Sequence, residues 1–293
     1  MKLVTYNIQF GRGKDECNDL DRIAGEVEGA DLIAFQEVDR YWSRSGNVDQ
    51  VAEFTRRFAG YHVEYGAGIN IPIDHNNADG TIIHRRRQFG NLTISRYPIR
   101  YIRHHPLPKY ASTGPISIQR SALECVIDSP LGCLRIINTH LTHLTGATRA
   151  PQIAWLKRLH RDAVLEGEPV TGDLEPTYWK LDDALPAAPT QTIMMGDFNL
   201  SPASAEYTDI VGPWSEYGGR VTNPALFADA WVAAGHNESE GYSSDVHGEL
   251  LRLDYIFLSP ELTPNIIDCR IDNDAVGSDH QPVWLELSEP DSS

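Results

Sequence analysis

The sequence predicts an α/β protein in which two mixed β-sheets pack together and helices lie outside them. The chain has 293 residues, which is enough for one large α/β domain with a substantial core. Apolar strand-like runs outnumber amphipathic helical segments, and several are joined by turn signals typical of hairpins. This pattern excludes a purely alternating parallel sheet and favours two mixed sheets. Candidate site residues span positions 7–280 and must meet in one place, which favours a single domain over residues 1–293.

The first third of the chain alternates strand and helix patterns. We predict strands at 3–8, 31–37, 61–65 and 91–95, and helices at 19–27 and 49–58. Each strand is a short apolar run, whereas the helices repeat apolar residues every three or four positions, as Leu20, Ile23 and Val27 do. Residues 66–90 are rich in Gly, Asn, Asp and Pro, and we expect them to form a long loop over the site.

A hairpin is the clearest local prediction in the second part of the chain. Ser129-Pro130-Leu131-Gly132 is a turn signal between apolar runs at 121–127 and 133–138. We also predict a helix at 150–164 and strands at 192–195, 255–258 and 282–287. Residues 166–190 are acidic and Pro-rich, which is typical of a surface insertion.

The charge distribution limits the class of partner. The formal net charge of −16 counts against a dedicated, tight DNA-binding protein. One segment, residues 66–120, is nevertheless basic, with eight Lys or Arg side chains against two Asp. These cations are either solvated loop arginines or a rim that draws an anionic substrate towards the site.

Cysteine usage and hydropathy favour a cytoplasmic protein. The four cysteines show no CxxC pairing and no zinc-like spacing, so we expect reduced thiols. The chain enters a strand-like run at Leu3 without a basic and apolar leader, and no run approaches the roughly 18 apolar residues of a membrane span. A mature form that has lost a leader stays open as an alternative, and so does the oligomeric state.

Six polar strings stand at the ends of apolar strand-like runs. They are Thr5-Tyr6-Asn7, Gln36-Glu37, Asn138-Thr139-His140-Leu141, Gly196-Asp197-Phe198-Asn199, Arg252-Leu253-Asp254-Tyr255 and Gly277-Ser278-Asp279-His280. Residues at strand ends gather in the crevice where ligands of layered α/β proteins bind. Hard oxygen ligands combined with imidazoles are what a Mg²⁺-dependent attack on a phosphoester needs, and Mn²⁺ accepts the same ligands.

The oxygen-bearing residues suggest two tasks. Glu37 at the mouth of a strand is a plausible Mg²⁺ ligand, and Asn7 could bind the ion or fix a neighbouring carboxylate. Asp197 and Asn199 could converge on one water, the acid accepting its proton and the amide orienting it. The alternative is a simple Asx-rich turn that caps the following segment.

The histidines suggest phosphate contacts and proton transfer. Asp279 and His280 are adjacent, so the carboxylate can bind the ion while the imidazole faces the phosphate. Asp254 could hold the other ring nitrogen of His280 and fix its tautomer. His140 could donate to a phosphate oxygen, and His143 is an outside candidate. Thr171-Gly172-Asp173-Leu174 imitates the Asp197 string without a preceding strand, so we expect Asp173 on the surface.

Taken in order, the strings resemble those of the endonuclease/exonuclease/phosphatase superfamily over nearly the whole chain. Further stretches resemble its landmarks, namely Gly90-Asn91, Ser95-Arg96-Tyr97-Pro98 and Gln119-Arg120-Ser121-Ala122. The resemblance implies a four-layer α/β sandwich with the active site at one edge of its two sheets. Abasic-site endonucleases carry Tyr in place of His140, so the chain is more similar to the deoxyribonuclease, sphingomyelinase and small-phosphodiesterase branches.

The resemblance also implies a role for each matching residue. It places Asn7, Glu37 and Asp279 at the metal. Asp197 and Asn199 position and activate the nucleophile, and Asp197 binds a second metal in some members. His140 contacts phosphate, and His280, oriented by Asp254, is the general base or a transition-state stabiliser. Substrate-binding roles are implied for Asn91, Arg96 and Arg120.

These expectations combine into one preferred function and two alternatives. We expect a Mg²⁺-dependent phosphodiesterase, with Mn²⁺ as the other possible ion, acting on a small or lipid-derived phosphoester. The first alternative is a DNA or RNA nuclease, in which five arginines would track the backbone, namely Arg85, Arg86, Arg87, Arg100 and Arg103. The second is a non-catalytic binding module that keeps the scaffold.

Overall fold

The computed structural model describes residues 1–172, 181–246 and 248–289. The N-terminal part contains β1 (Lys2–Asn7), α1 (Leu20–Glu26), β2 (Leu32–Arg40), α2 (Gln50–Arg57), β3 (His62–Pro72), β4 (His75–Asn76), β5 (Ile82–Ile83), β6 (Arg86–Ser95), β7 (Ile99–Pro106), β8 (Ser121–Ser129) and β9 (Gly132–His140). The C-terminal part contains α3 (Gly146–Glu166), β10 (Thr192–Asp197), α4 (Ala205–Val211), β11 (Ala228–Asp229), α5 (Ala230–Ala233), β12 (Ser244–Val246), β13 (Glu249–Leu251), β14 (Asp254–Leu258), β15 (Ile266–Ile271) and β16 (Val283–Leu287).

Two six-stranded mixed sheets dominate the described residues. The first sheet has the order β15-β16-β1-β2-β6-β3, and the second has the order β11-β14-β10-β9-β8-β7. Within them, β1 runs parallel to β2 and β9 runs parallel to β10, while the other pairs are antiparallel. Two short hairpins, β4-β5 and β12-β13, stand apart from the sheets. The predicted architecture is confirmed.

Three apolar layers hold the sandwich together. The inner layer lies between the sheets and includes Leu3, Leu123 and Met195. A second cluster buries the face of α1 and α2 against the first sheet, as Ile23 and Phe54 show. A third packs α3 and α4 onto the second sheet. Helices therefore cover both outer faces, and burial of each apolar stripe contributes about 25 cal/mol for every Å² removed from water.

The helix starts follow from local capping. The Asp19 carboxylate accepts hydrogen bonds from the backbone of Asp21 and Arg22 at the start of α1. The Asp49 carboxylate caps α2 in the same way, and Thr145 forms a capping box at the start of α3. The predicted helices at 19–27, 49–58 and 150–164 correspond to α1, α2 and α3. The predicted hairpin corresponds to β8 and β9, which pair from Ala122 opposite Thr139 to Ser129 opposite Gly132.

The predicted loop over residues 66–90 is wrong for most of its length. β3 and β6 pair from His62 opposite Ser95 to Pro72 opposite Arg86, so this region is a long antiparallel arm. Its glycines misled the prediction because they mark close backbone contacts. A Cβ on Gly68 would lie 2.3 Å from the Gln119 carbonyl oxygen, and one on Gly90 would lie 2.1 Å from that of Gly66.

The acidic segment at 166–190 is described only in part. Residues 173–180, including Asp173, lie outside the described residues. The described residues on either side of 173–180 bond to β7, since Arg103 donates to the carbonyl of Gly167 and Arg100 donates to that of Ala184. Strands β7 and β15 and helix α4 were not predicted. Among the described residues, no helix combines the length and apolar character that a membrane crossing requires.

Candidate functional site

The two parallel strand pairs end at the same edge of the sandwich. Asn7 ends β1 beside Gln36 of β2, and His140 ends β9 beside Asp197, the last residue of β10. Asp254 opens β14 directly opposite Asp197. Because both sheets present these strand ends together, side chains far apart in sequence converge at one place.

Asp197 lies at the centre of this cluster. Its side chain is buried, and its Oδ2 accepts a hydrogen bond of 2.9 Å from the Asn7 amide. The same oxygen lies 3.2 Å from Nε2 of His140 and 3.8 Å from Nε2 of His280. Oδ1 accepts from the backbone amide of Asn199 at 2.9 Å. One carboxylate therefore joins groups from both sheets.

This environment keeps Asp197 ionised. Burial acts to raise the pKa of Asp197, but electrostatic interactions with His140 and His280 oppose it, together with hydrogen bonds from His140 and Asn7. The net result is a pKa well below the usual range for a carboxyl. Asp197 is thus a buried anion whose two oxygens accept hydrogen bonds from the surrounding groups.

His280 is held by a second buried carboxylate. Its Nδ1 lies 2.7 Å from Oδ2 of Asp254, and that oxygen also accepts from the Ser243 hydroxyl at 2.7 Å. Burial acts to lower the pKa of His280, but Asp254 and Asp197 outweigh it and raise the pKa to about 10. The imidazolium therefore keeps Nδ1–H on Asp254 and directs Nε2–H towards Asp197. Ligand atoms of these three residues all lie within 4.8 Å of one another.

His140 is oriented by a buried arginine. Nη1 of Arg120 lies 2.9 Å from Nδ1 of His140, so Nδ1 is the acceptor and the ring hydrogen lies on Nε2, which is 3.2 Å from Oδ2 of Asp197 and 3.1 Å from the Asn199 side-chain nitrogen. Burial lowers the pKa of Arg120, while the charges of Glu37 and Asp197 act to raise it. Nη2 of Arg120 also lies 3.4 Å from Nδ1 of His143, whose pKa is lowered by burial and by Arg120.

Two further carboxylates lie on the other side of the cluster. Glu37 has a positive φ of 61° at an irregularity in the pairing of β2, and its Oε1 lies 3.9 Å from Nδ1 of His140. Asp279 accepts from the Gln9 side chain at 2.7 Å and from the Ser278 hydroxyl at 3.2 Å. Burial raises the pKa of Asp279, and the charge of Glu37 raises it further against the opposing effect of His280.

This carboxylate pair has the chemistry of a divalent cation site. Within the described residues, the Glu37 carboxylate makes no hydrogen bond, and its charge opposes the ionisation of Asp279. Hard oxygen ligands that repel each other are stabilised by a bound cation. Asn7 connects this carboxylate pair to Asp197. Its Oδ1 accepts from the Gln9 backbone at 3.1 Å, and its side-chain NH₂ group donates to Asp197. In contrast, Oδ2 of Asp254 is already bonded to His280 and Ser243, which favours proton handling there, while its Oδ1 has no partner within the described residues.

The three predicted substrate-binding residues have different positions. Arg120 lies in the cluster, buried against His140 and His143. Asn91 is buried between the sheets, where its amide donates to the carbonyls of Ser121 and Asn138. The structure does not bring Arg96 to the site. That side chain pairs with Asp31 at the start of β2, the opposite end of the strand from Glu37, and contacts Tyr61.

Sequence patterns did not identify Gln9 or Ser243 as site residues. Gln9, Phe10 and Gly11 all have positive φ, and the buried Gln50 donates to the Phe10 carbonyl at 2.6 Å. This strained turn places the Gln9 amide on Asp279. Ser243 lies in an irregular segment before β12. Neither position belongs to an apolar periodic pattern, so only the three-dimensional contacts indicate a role.

A comparison with protein-family models and a comparison with solved structures point to the same family. Residues 4–280 match the statistical model described as the Endonuclease/Exonuclease/phosphatase family. A comparison with curated protein sequences finds no match. A similar solved structure is the endonuclease/exonuclease/phosphatase family protein from Leptotrichia buccalis, with 18% identity, a TM-score of 0.63, and coverage of 98% of this chain and 99% of that one.

Two other similar structures have more specific names. Truncated TDP2 of Caenorhabditis elegans has 16% identity and a TM-score of 0.59, and the match covers 98% of this chain and 97% of that chain. The mannosyl-6-phosphatase of Bacteroides thetaiotaomicron has 15% identity and a TM-score of 0.59, with coverage of 98% and 99%. At these identities, the likeness establishes a shared fold.

Proposed function

Because the chain belongs to the endonuclease/exonuclease/phosphatase family, we propose that it is a divalent-metal-dependent phosphodiester hydrolase acting on a small or lipid-derived phosphoester. The observation that carries this proposal is the contact set of Asp197. One buried carboxylate faces two imidazoles and an amide, beside a pair of carboxylates suited to a cation. We further propose that the chain is one catalytic domain and that it is cytoplasmic.

The cation would be held by Glu37 and Asp279, with the Asn7 oxygen close by. We propose Mg²⁺, with Mn²⁺ as the alternative, because both prefer oxygen ligands. When bound, the ion supplies neutralisation of phosphate charge and of the charge on the leaving oxygen. Gln9 supports this edge, since its backbone orients Asn7 and its side chain orients Asp279.

The remaining residues would manage the water and the phosphate. Asp197 accepts the proton of the attacking water, and Asn199, fixed against the Leu141 carbonyl at 3.1 Å, orients that water for in-line attack. His280 is protonated and presents Nε2–H, so it stabilises negative charge that develops on the phosphate oxygens. His140 donates from Nε2, and Arg120 keeps it in that tautomer.

The substrate class rests on two supporting observations. A net charge of −16 disfavours tight binding to long nucleic acid, which favours a small phosphoester. One protein of the same fold is named a mannosyl-6-phosphatase, so a sugar phosphate monoester belongs in any substrate panel. This likeness concerns the fold.

A nuclease is the second candidate, and one observation favours it. Arg85, Arg86 and Arg87 on the β6 arm form no ion pair within the described residues. Three uncompensated cations could follow a phosphate backbone. Nicking of plasmid DNA that falls steeply with added salt would support this function, whereas failure to nick with either Mg²⁺ or Mn²⁺ would remove it.

The test is hydrolysis of a panel of phosphoesters by the wild-type chain and matched variants. We expect turnover of bis(p-nitrophenyl) phosphate or a lipid phosphodiester with Mg²⁺, and its loss in EDTA. Asp197→Asn should lower kcat by about a thousandfold or more. Asp162→Asn, which changes a partly exposed aspartate on α3 that pairs with Arg161, is the control. No turnover of any ester by folded protein, or full activity of Asp197→Asn, would contradict the proposal.

A further inference from the structure

An arginine rim borders the catalytic cluster on the side of β2 and β6. We define it as Arg44, Arg85 and Arg87. Arg44 follows β2 in a short helical turn, and its guanidinium carbon lies 4.8 Å from the centre of the Trp42 ring. Arg87 approaches the same ring at 5.4 Å, and Arg85 lies 4.6 Å from the Tyr41 ring. Three cations thus surround two adjacent aromatic residues.

Arg44 is the most rigidly held member of the rim. Its Nε and Nη2 donate to the two oxygens of Asp39, which is fully buried, at 3.0 and 2.8 Å. The rings of Phe10 and Phe89 flank its guanidinium at 4.4 and 5.1 Å. Its side chain is nevertheless 39% exposed, and Nη1 has no hydrogen-bond partner within the described residues. A pre-oriented donor therefore faces solvent.

The same aromatic walls connect the rim to the catalytic cluster. Phe89 also lies 5.9 Å from the guanidinium of Arg120, which donates to His140. Phe10 follows Gln9, whose side chain donates to Asp279. Arg44 is therefore separated from Arg120 by the single ring of Phe89. A substrate whose scissile phosphate lies at Asp197 could extend directly over this rim.

The rim carries more positive charge than its surroundings neutralise. Arg44 is balanced by Asp39, and the nearby Arg40 is balanced by Asp49. Arg87 uses Nε to donate to the Tyr41 carbonyl at 3.0 Å, and neither of its terminal nitrogens has a partner within the described residues. Asp74 accepts from the Arg85 backbone and lies 3.1 Å from His84, so it is already engaged. The excess cations are Arg85 and Arg87.

The geometry also indicates which chemical group would bind there. A guanidinium stacked on an aromatic ring has one face occupied, and its N–H groups still project from the edge. Edge donors in a plane match the oxygens of a phosphate, and three aromatic rings already flank the guanidinium of Arg44 where a planar base would have to stack. The stacked arginines therefore favour an oxyanion over an aromatic ligand.

We propose that the arginine rim is a second phosphate-binding subsite, which holds a phosphate group of the substrate other than the one that is cleaved. This inference rests on the proposed function and specifies its substrate as a molecule with at least two phosphates. That second phosphate belongs either to a small bisphosphorylated compound or to the adjoining unit of a nucleic acid strand. Both sources present the same group to Arg44 and Arg87.

The test is equilibrium binding in EDTA, where no hydrolysis interferes. The probes are propyl phosphate, α,ω-alkanediol bisphosphates of three to six carbons, and a ten-residue oligothymidylate. For the wild-type chain, we expect the best-fitting bisphosphate to bind about tenfold more tightly than propyl phosphate. Arg44→Gln and Arg87→Gln should remove most of that advantage. Arg161→Gln, which removes an exposed arginine on α3, should retain it.

The outcomes separate the source of the phosphate and the validity of the subsite. A rim-dependent advantage for the alkane bisphosphates supports a small substrate, and one found only for oligothymidylate supports a strand. Equal binding of all probes, or an advantage that survives both rim variants, would overturn the subsite. Binding is measured without turnover, so its outcome does not depend on hydrolysis. A chain that binds bisphosphates through the rim but hydrolyses no phosphoester would contradict the proposed function and would still support the subsite. Circular dichroism and thermal unfolding verify that each variant is folded.

Discussion

The two sides of the candidate site differ in how far the protein satisfies its own polar groups. On the histidine side, Asp197, His140, His280 and Asp254 bond to one another and to Arg120. On the carboxylate side, Glu37 makes no hydrogen bond within the described residues, and Asp279 depends on Gln9 and Ser278. Most polar groups of the first side are bonded, and Asp254 Oδ1 and Arg120 Nε are the buried exceptions among the described residues, whereas the second side has unbalanced negative charge. We infer that the first handles protons and the second needs a cation.

The largest expected effect comes from breaking the histidine side. His280→Asn removes the imidazolium that faces Asp197, so we expect kcat to fall by about a thousandfold. Added Mg²⁺ should not restore activity, because the missing group does not act through the ion. The measurement is steady-state hydrolysis across a range of Mg²⁺ concentrations. His62→Asn, an exposed histidine on β3, is the control, and rescue by metal would refute the assignment.

Breaking the carboxylate side should have a different signature. Glu37→Gln removes one charged ligand, so the Mg²⁺ concentration that gives half-maximal activity should rise about ten- to one-hundredfold. Activity should recover partly at high Mg²⁺, in contrast to His280→Asn. Glu16→Gln, which changes an exposed glutamate, is the matched control. An unchanged metal requirement in Glu37→Gln would show that the ion is held elsewhere.

Gln9→Ala tests the support of that carboxylate side. Without the side-chain bond from Gln9, the Asp279 carboxylate is less well oriented. The Mg²⁺ concentration that gives half-maximal activity should therefore rise by about three- to tenfold. The backbone bond from Gln9 to Asn7 persists in this variant, so kcat at saturating Mg²⁺ should change little more than twofold. A loss of kcat with an unchanged metal requirement would place Gln9 on the histidine side instead.

The charge on His280 predicts a pH-dependent stability. Its pKa in the folded chain, about 10, lies above the value of roughly 6.5 for an unfolded histidine. Its stabilising contribution is therefore complete below about pH 6.5 and is lost as the pH rises towards 10. In thermal unfolding with EDTA, the wild-type Tm should fall more over this window than that of His280→Asn. Parallel curves would show that His280 is neutral in the folded chain.

The smallest effect is expected far from both sides. Arg96→Gln should change activity by less than about twofold and unfolding free energy by at most about 1 kcal/mol, because the Arg96 guanidinium is exposed and its ion pair with Asp31 lies at the opposite sheet end. Hydrolysis assays and denaturant unfolding measure the two quantities. A tenfold loss of kcat would mean that Arg96 influences the site through the sheet.

Strand-end residues were the part of the site that sequence could predict. Asn7, His140 and Asp197 follow apolar runs, and the ends of neighbouring parallel strands must lie together. The order of the strings also identified the family and its two-sheet fold. The single-domain organisation and the residue roles remain predictions.

Other features depended on contacts that no local pattern encodes. The Gln9 side chain reaches Asp279 across 270 positions, and Arg120 turns inward onto His140, where the charges of Glu37 and Asp197 offset part of the cost of burying its guanidinium. The arm was misjudged because glycines that allow close strand contacts resemble loop glycines in sequence. Arg96 follows a strand like the site residues do, but it follows the antiparallel β6, whose end lies at the other edge.

Calorimetric Mg²⁺ binding to three forms of the chain tests the division of the site most directly. We predict that the wild type binds the ion, that Glu37→Gln/Asp279→Asn loses binding, and that Asp254→Asn retains it. Asp254, Asp197 and His280 also lie close enough to form a metal cluster, so they provide the competing location. Loss of binding in Asp254→Asn, with binding preserved in the double variant, would contradict this account.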